Sequence, residues 1–152
     1  MDIHYINKNW LTLESIDEIL KSNRRLVLSQ EAEAAIVKCR TYLDEKLARH
    51  DKPIYGINTG FGSLCDTSIP NKDLETLQRN LVMSHACGLG DEVPIDVVRL
   101  MLLLKIQGLS YGHSGVQLIT VQRLIDMYNH NVFPVVYEQG SLGASGDLAP
   151  LA

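Results

Sequence analysis

No run of five or more basic residues occurs in this chain, and the formal net charge is −4. The electrostatic footprint of a nucleic-acid or anionic-membrane binder is therefore missing. Cysteine is scarce. Cys39, Cys65 and Cys87 are odd in number and widely spaced, with no Cys-x-x-Cys, which suggests neither a zinc site nor a disulfide framework. Reduced cytosolic thiols are the plain reading. Long hydrophobic runs are also lacking: the most apolar stretch, 97–109, is too short to cross a bilayer and contains Arg99 and Lys105. The start, Met1-Asp2-Ile3-His4-Tyr5, has neither the basic opening nor the apolar run of a signal peptide. Internal repeats and low-complexity tracts are absent. These absences lead to the expectation of a soluble, cytoplasmic protein.

What is present is enough apolar material for a core: 45% of 152 residues, which suits one folded domain over 1–152. Residues 3–6 and 26–28 favour short strands. Thr12 to Leu20 reads as a short helix, with Ser15 and Glu18 at capping-box spacing, starting there or a turn earlier. Ser29 reads as the N-cap of a long helix to about His50, with Ala32, Ala35, Ile36, Cys39, Leu43 and Leu47 along one stripe. Asn71 is expected to cap a helix to about Cys87, stopped by Gly88, with Leu74, Leu77, Leu81 and His85 on one face. Pro94 opens the next helix, with Asp91, Glu92 and Asp96 near its positive end. Its apolar residues cover nearly all sides, as in a helix buried in a domain or an assembly. Gly108, Gly112 and Gly115 are expected to break it, placing His113 in a solvated turn. A further helix, about 116–130, would turn Val116, Ile119, Leu124, Ile125 and Tyr128 inward, and 132–136 reads as extended. The fold class is mainly α, with minor short β-strands.

The chain is organised around its last stretch, Gly140-Ser141-Leu142-Gly143-Ala144-Ser145-Gly146-Asp147-Leu148-Ala149-Pro150. Side chains this small cannot build a core, so the use of the stretch lies in its backbone. In a tight bend the Gly146 amide nitrogen could reach the Ala144 carbonyl carbon and close a five-membered ring. Loss of water, and of the Ser145 hydroxyl, would leave an electrophilic methylene. A plainer reading is compatible with this one: a glycine-rich turn into a helix, with Asp147 as N-cap and Pro150 in the first turn.

This string resembles the signature of the aromatic amino acid ammonia-lyases, in which Ala-Ser-Gly cyclises to 4-methylideneimidazole-5-one. A second stretch, Tyr55-Gly56-Ile57-Asn58-Thr59-Gly60-Phe61-Gly62, reads by itself as a surface loop with a half-buried tyrosine, and it resembles the family loop that carries the catalytic tyrosine. Ser84-His85 follows, with Gly88 and Gly90. A histidine ending an apolar stripe is by itself a satisfied core group. Yet the pair resembles the family's ring-selectivity segment, in which members acting on L-histidine carry Ser-His, tyrosine lyases His-Leu, and phenylalanine lyases an apolar pair.

The resemblance implies the N-terminal part of a fumarase/aspartase-like helical fold, and a chain that is a piece of a longer homotetrameric enzyme, inactive alone. It implies ammonia elimination from L-histidine to trans-urocanate. The electrophile would come from Ala144, Ser145 and Gly146, without metal. Tyr55 would be the base, His85 and Ser84 the substrate-ring holders, Gly62 and Leu148 the pocket lining, and Asp147 a support for cyclisation. A tyrosine titrates near ~10 in water, so such a base calls for a nearby positive charge or helix terminus. Two alternatives stay open at this level. One is a tyrosine or phenylalanine lyase or aminomutase; the other is a non-catalytic module self-associating through the apolar helix 95–107.

Overall fold

The computed structural model describes residues 2–49, 52–141 and 146–152. These fall into two compact units, one of residues 1–46 with 94–134, the other of residues 47–93 with 135–152. The fold is mainly α with a few short strands, as expected.

The first unit holds the main core. Strands β1 (Ile3–Ile6) and β2 (Arg25–Leu28) pair in parallel, with Ile3 opposite Arg25 and Ile6 opposite Leu28. Helix α1 (Leu13–Lys21) links them. It begins a turn before Ser15: Thr12 is the N-cap, and Thr12 and Ser15 exchange side-chain and backbone bonds at 3.2 and 2.9 Å. The box is therefore Thr12 with Ser15, because Ser15 at the third helical position offers a hydroxyl that reaches the cap amide. Helix α2 (Gln30–Arg49) is capped by Ser29, whose hydroxyl accepts from the Ala32 amide at 3.2 Å. Its expected stripe is correct: Ala32 and Ile36 are buried, and Ala35, Cys39, Leu43 and Leu47 half-buried. His50 lies outside the described residues.

Helix α4 (Ile95–Ser110) buries Val98, and it buries Leu102, Leu103 and Ile106 in one cluster with Ile6, Ile19, Leu26, Ile36, Val121, Ile125 and Tyr128. It is not covered on all sides, for Val97 and Leu104 are each 45% exposed. It also runs through Gly108, since no left-handed geometry is required there; the break comes at Gly112 and Gly115, whose φ angles are +75° and +66°. A Cβ at Gly112 would sit 2.7 Å from the Ala35 carbonyl oxygen, so only glycine lets this turn lie on α2. His113 is exposed in that turn, as expected.

Helix α5 (Leu118–Asn129) is shorter than expected; of the expected inner residues, Ile125 and Tyr128 lie in the core, Val116 and Leu124 pack against it, and Ile119 does not. Val121, Ile125 and Tyr128 are buried, whereas Ile119 is half exposed. The period of 3.6 places Val121, not Ile119, in line with Ile125 and Tyr128. Asn129 closes the helix with its side chain on β2: its Oδ1 accepts from the Leu26 amide at 2.8 Å, and its Nδ2 donates to the Leu26 carbonyl at 2.9 Å.

The second unit carries helix α3 (Leu74–His85). A 3-10 turn, Asn71–Asp73, precedes it, so the helix starts later than expected, with Asp73 at the cap, and it ends at His85 rather than Cys87. The side chain of Asn71 lies outside what is described. Leu74, Leu77, Leu81 and His85 share the half-buried face. Asp91 and Glu92 belong to strand β3 (Leu89–Glu92), antiparallel to β4 (Tyr137–Gln139), and not to a helix start. The chain ends in a 3-10 turn, Ala149–Leu151, in place of the expected helix start.

Candidate active site

Every candidate residue among the described ones lies in the second unit. The glycine-rich loop 54–62 is tied down by two buried polar residues. Asn58 Oδ1 accepts from the Ile54 amide at 2.6 Å, while its Nδ2 donates to the Lys52 carbonyl at 3.2 Å. Thr59, wholly buried, accepts from the Gly56 amide at 3.2 Å and donates to the Gly60 carbonyl at 2.9 Å. Burial is tolerable because these side chains satisfy loop backbone that has no ladder partner.

This frame presents Tyr55 outward, 61% exposed. Its hydroxyl oxygen accepts from the Gly62 amide at 3.3 Å. Gly62 has φ +58° and opens the 3-10 turn Gly62–Leu64. Gly56, at φ +71°, lies against the Phe61 ring, which a Cβ would meet at 3.0 Å. Phe61 in turn stands between the two expected site residues. Its centroid is 5.7 Å from that of Tyr55 and 5.9 Å, edge-on, from that of His85.

His85 ends α3 with a defined ring orientation. Nδ1 lies 2.7 Å from the Leu81 carbonyl oxygen and 3.2 Å from the Ser84 hydroxyl, which itself donates to Leu81 at 2.9 Å. A carbonyl only accepts, so Nδ1 carries a proton in this bond, which fixes the ring and leaves Nε2 on its other edge. Ser84 thus orients His85. Gln78, one α3 face away, donates to the carbonyls of Gly56 and Ile57 at 3.4 and 3.2 Å, joining the helix to the Tyr55 loop.

Asp147 is the hub of the other segment. Its Oδ1 accepts from the Ser141 amide at 3.1 Å, the Ser141 hydroxyl at 3.0 Å and the Ala149 amide at 3.0 Å. These bonds hold its carboxyl below the usual range, the Ala149 amide contributing most, then Ser141, then the charge of His85. Asp147 is not the N-cap expected of it: Leu148, 44% exposed, takes that position, and Asp147 sits one residue earlier while accepting from the Ala149 amide. Gly146 has φ +130°, a conformation that residues with a side chain rarely adopt. Ala144 and Ser145 lie outside the described residues. No group of three or more metal-ligating side chains occurs among the described residues.

A family model, aromatic amino acid lyase, matches residues 11–152. The chain belongs to the aromatic amino acid lyase family. A histidine ammonia-lyase of Caldanaerobacter subterraneus is 48% identical over 97% of this chain, which covers 29% of that relative. Among solved structures, histidine ammonia-lyase from Trypanosoma cruzi shares 35% identity at TM-score 0.81, the match covering 99% of this chain and 28% of that one. Ergothionase from Treponema denticola, an ergothioneine-degrading enzyme, shares 30% at TM-score 0.90, over 99% and 30%. The chain thus spans under a third of the length of the curated relatives it matches.

Set within the family, the structure brings Tyr55, Gly62, Ser84 and His85 together around Phe61. Leu148 has its place beside Asp147. Sequence reasoning missed Asn58, Thr59, Phe61, Gln78 and Ser141. A polar pair inside a glycine-rich loop was a usable signal for Asn58 and Thr59; the partners of the other three are set by tertiary contact.

Proposed function

We propose that the protein to which this chain belongs is a histidine ammonia-lyase, eliminating ammonia from L-histidine to give trans-urocanate without oxidation. The observation that carries the reading is the His85 ring, whose Nδ1 is held by the Leu81 carbonyl and which stands edge-on to Phe61; its Nε2 is the proposed acceptor. A substrate imidazole has an N–H to donate to Nε2. A phenyl ring has none, and would leave that acceptor desolvated and unpaired.

Ala144, Ser145 and Gly146 are the proposed source of 4-methylideneimidazole-5-one, which supplies a covalent electron sink for the substrate amine. The chain's own residues do the rest. Tyr55 takes the β-proton, and the Gly62 amide stabilises negative charge on its oxygen. Ser84 fixes the His85 ring, Leu148 lines the pocket with Gly62, and Asp147 anchors the loop. Residues 1–152 make up an N-terminal part, with no turnover on their own, of a cytoplasmic homotetramer that works without metal. That the chain covers 29% of the length of a curated relative supports reading it as part of a longer chain.

The test uses the protein at its full length, offered L-histidine, L-tyrosine and L-phenylalanine in turn. Urocanate and ammonia are expected from L-histidine alone. Replacing His85→Leu should lower histidine turnover by roughly tenfold to hundredfold, the worth of a hydrogen bond in a desolvated site. Unchanged turnover in that variant would remove the basis of the assignment.

A further inference from the structure

Three polar hydrogens from two sides of the glycine-rich loop converge on one oxygen. Ser141 gives its amide and hydroxyl, Ala149 gives its amide, and Asp147 Oδ1 accepts all three. Residues 141 and 149 are thereby drawn together, although an extended chain of that length would span about 26 Å. The second carboxylate oxygen is seated as tightly. A Cβ on Gly140 would lie 2.0 Å from Asp147 Oδ2 and 2.6 Å from the Ala149 Cβ. These distances are below any real contact, and Gly140 has no positive φ to explain its glycine otherwise. Its glycine serves close approach alone.

Resting on the reading that Ala144-Ser145-Gly146 builds an electrophile, we propose that Gly140 and Ser141 are positioning residues for that reaction, holding residues 140–141 and 149 to one another through the Asp147 carboxylate. In the reaction the Gly146 amide nitrogen bonds to the Ala144 carbonyl carbon, whose oxygen leaves as water with the amide hydrogens of Gly146 and Ser145, forming a C=N bond from the Ala144 carbon to the Ser145 nitrogen. Ser145 then loses its α-proton and its hydroxyl as a second water. Two waters leave in all and no oxidant is needed. The backbone must give up open-chain freedom to bring nitrogen and carbon together, and a clamp across the loop ends removes much of that freedom beforehand.

The experiment follows intact mass against time after synthesis of the full-length protein, so that maturation is read as loss of two waters, independent of turnover. The wild type should lose both. Ser141→Ala removes one bond to a charged acceptor and should mature roughly tenfold to hundredfold more slowly. Ser141→Thr keeps the hydroxyl and should mature at the wild-type rate. Gly140→Ala should mature least, its folding checked by circular dichroism. Once matured, Ser141→Ala should show wild-type KM and kcat per electrophile formed. Wild-type maturation rates in both Ser141→Ala and Gly140→Ala would overturn the clamp while leaving the electrophile intact. A wild type that keeps both waters would instead overturn the electrophile reading itself.

Discussion

The side-chain amide of Gln78 donates to the Ile57 carbonyl at 3.2 Å, fastening helix α3 to the loop that carries Tyr55. The same nitrogen reaches the Gly56 carbonyl at 3.4 Å. His85 and Tyr55 sit on different local structures, and this contact with the Phe61 ring holds their spacing. Gln78→Leu should free the loop at a cost of about 1 kcal/mol, the usual net worth of such a bond. Hydrogen exchange of the amides at 56–60 checks it, and unchanged protection would show that Asn58 and Thr59 suffice. Gln78→Glu should loosen the loop further, because a carboxylate facing two carbonyls has no proton to offer.

Tyr55→Phe keeps the ring against Phe61 and removes the acceptor of the Gly62 amide. If Tyr55 is the base, turnover should fall by about 10²–10⁴, the usual range for a general base. The loss of two waters should be unaffected, so intact mass separates a missing base from a missing electrophile. Turnover within a few-fold of wild type would assign the proton transfer to another group.

Asn129→Ala should destabilise the first unit by about 2 kcal/mol. It strips partners from both the amide and the carbonyl of Leu26, a residue only 1% exposed. Chemical denaturation measures it. Asn129→Asp is an informative companion, since it keeps the acceptor for the amide but turns an oxygen toward the Leu26 carbonyl; it should also be destabilising.

The acid response of Asp147 follows from its depressed pKa, whose largest cause is the Ala149 amide, followed among the lowering causes by Ser141. A carboxylate held below its unfolded value stabilises the fold fully above that value, about 3.9 for aspartate. The contribution is lost as pH falls through the lower folded value. The clamp should therefore persist at pH 4 and open in stronger acid. A carbon-detected titration of the Asp147 carboxyl reads this directly, and Ser141→Ala should move the midpoint upward.

His4 runs the other way. Half-burial lowers its pKa, and the Arg24 charge lowers it further against Glu18. The unfolded chain then takes up the His4 proton first as pH falls. Stability should decline below about 6.5 until the folded value is reached, then level off with respect to this group. His4→Gln should flatten that part of the stability–pH profile.

Much of the architecture was legible locally. The stripe of α2, the half-buried face of α3 ending at His85, and the strands at 3–6 and 25–28 follow from side-chain period, which neighbouring residues set among themselves. The errors lie where long-range packing outvotes local pattern. In α5 the sequence offers apolar residues on more than one face, and the contact with Ile36, Leu102 and Leu103 selects Val121 over Ile119. Strands β3 and β4 are exposed at every position, so no alternation announces them; they exist because their backbones find one another.

By itself, then, the sequence determined the family and located the residues of the proposed chemistry. Ala144-Ser145-Gly146 is a covalent matter of three adjacent residues, and Ser84-His85 is a pair on one helical turn. Only the tertiary structure decided what surrounds them: Phe61 between Tyr55 and His85, Gln78 across from α3 to the loop, and the Asp147 carboxylate gathering Ser141 and Ala149. The physical reason is range. Periodicity and bond chemistry act between near neighbours, whereas a hydrogen bond or ring contact between distant residues exists only after the chain has folded them together.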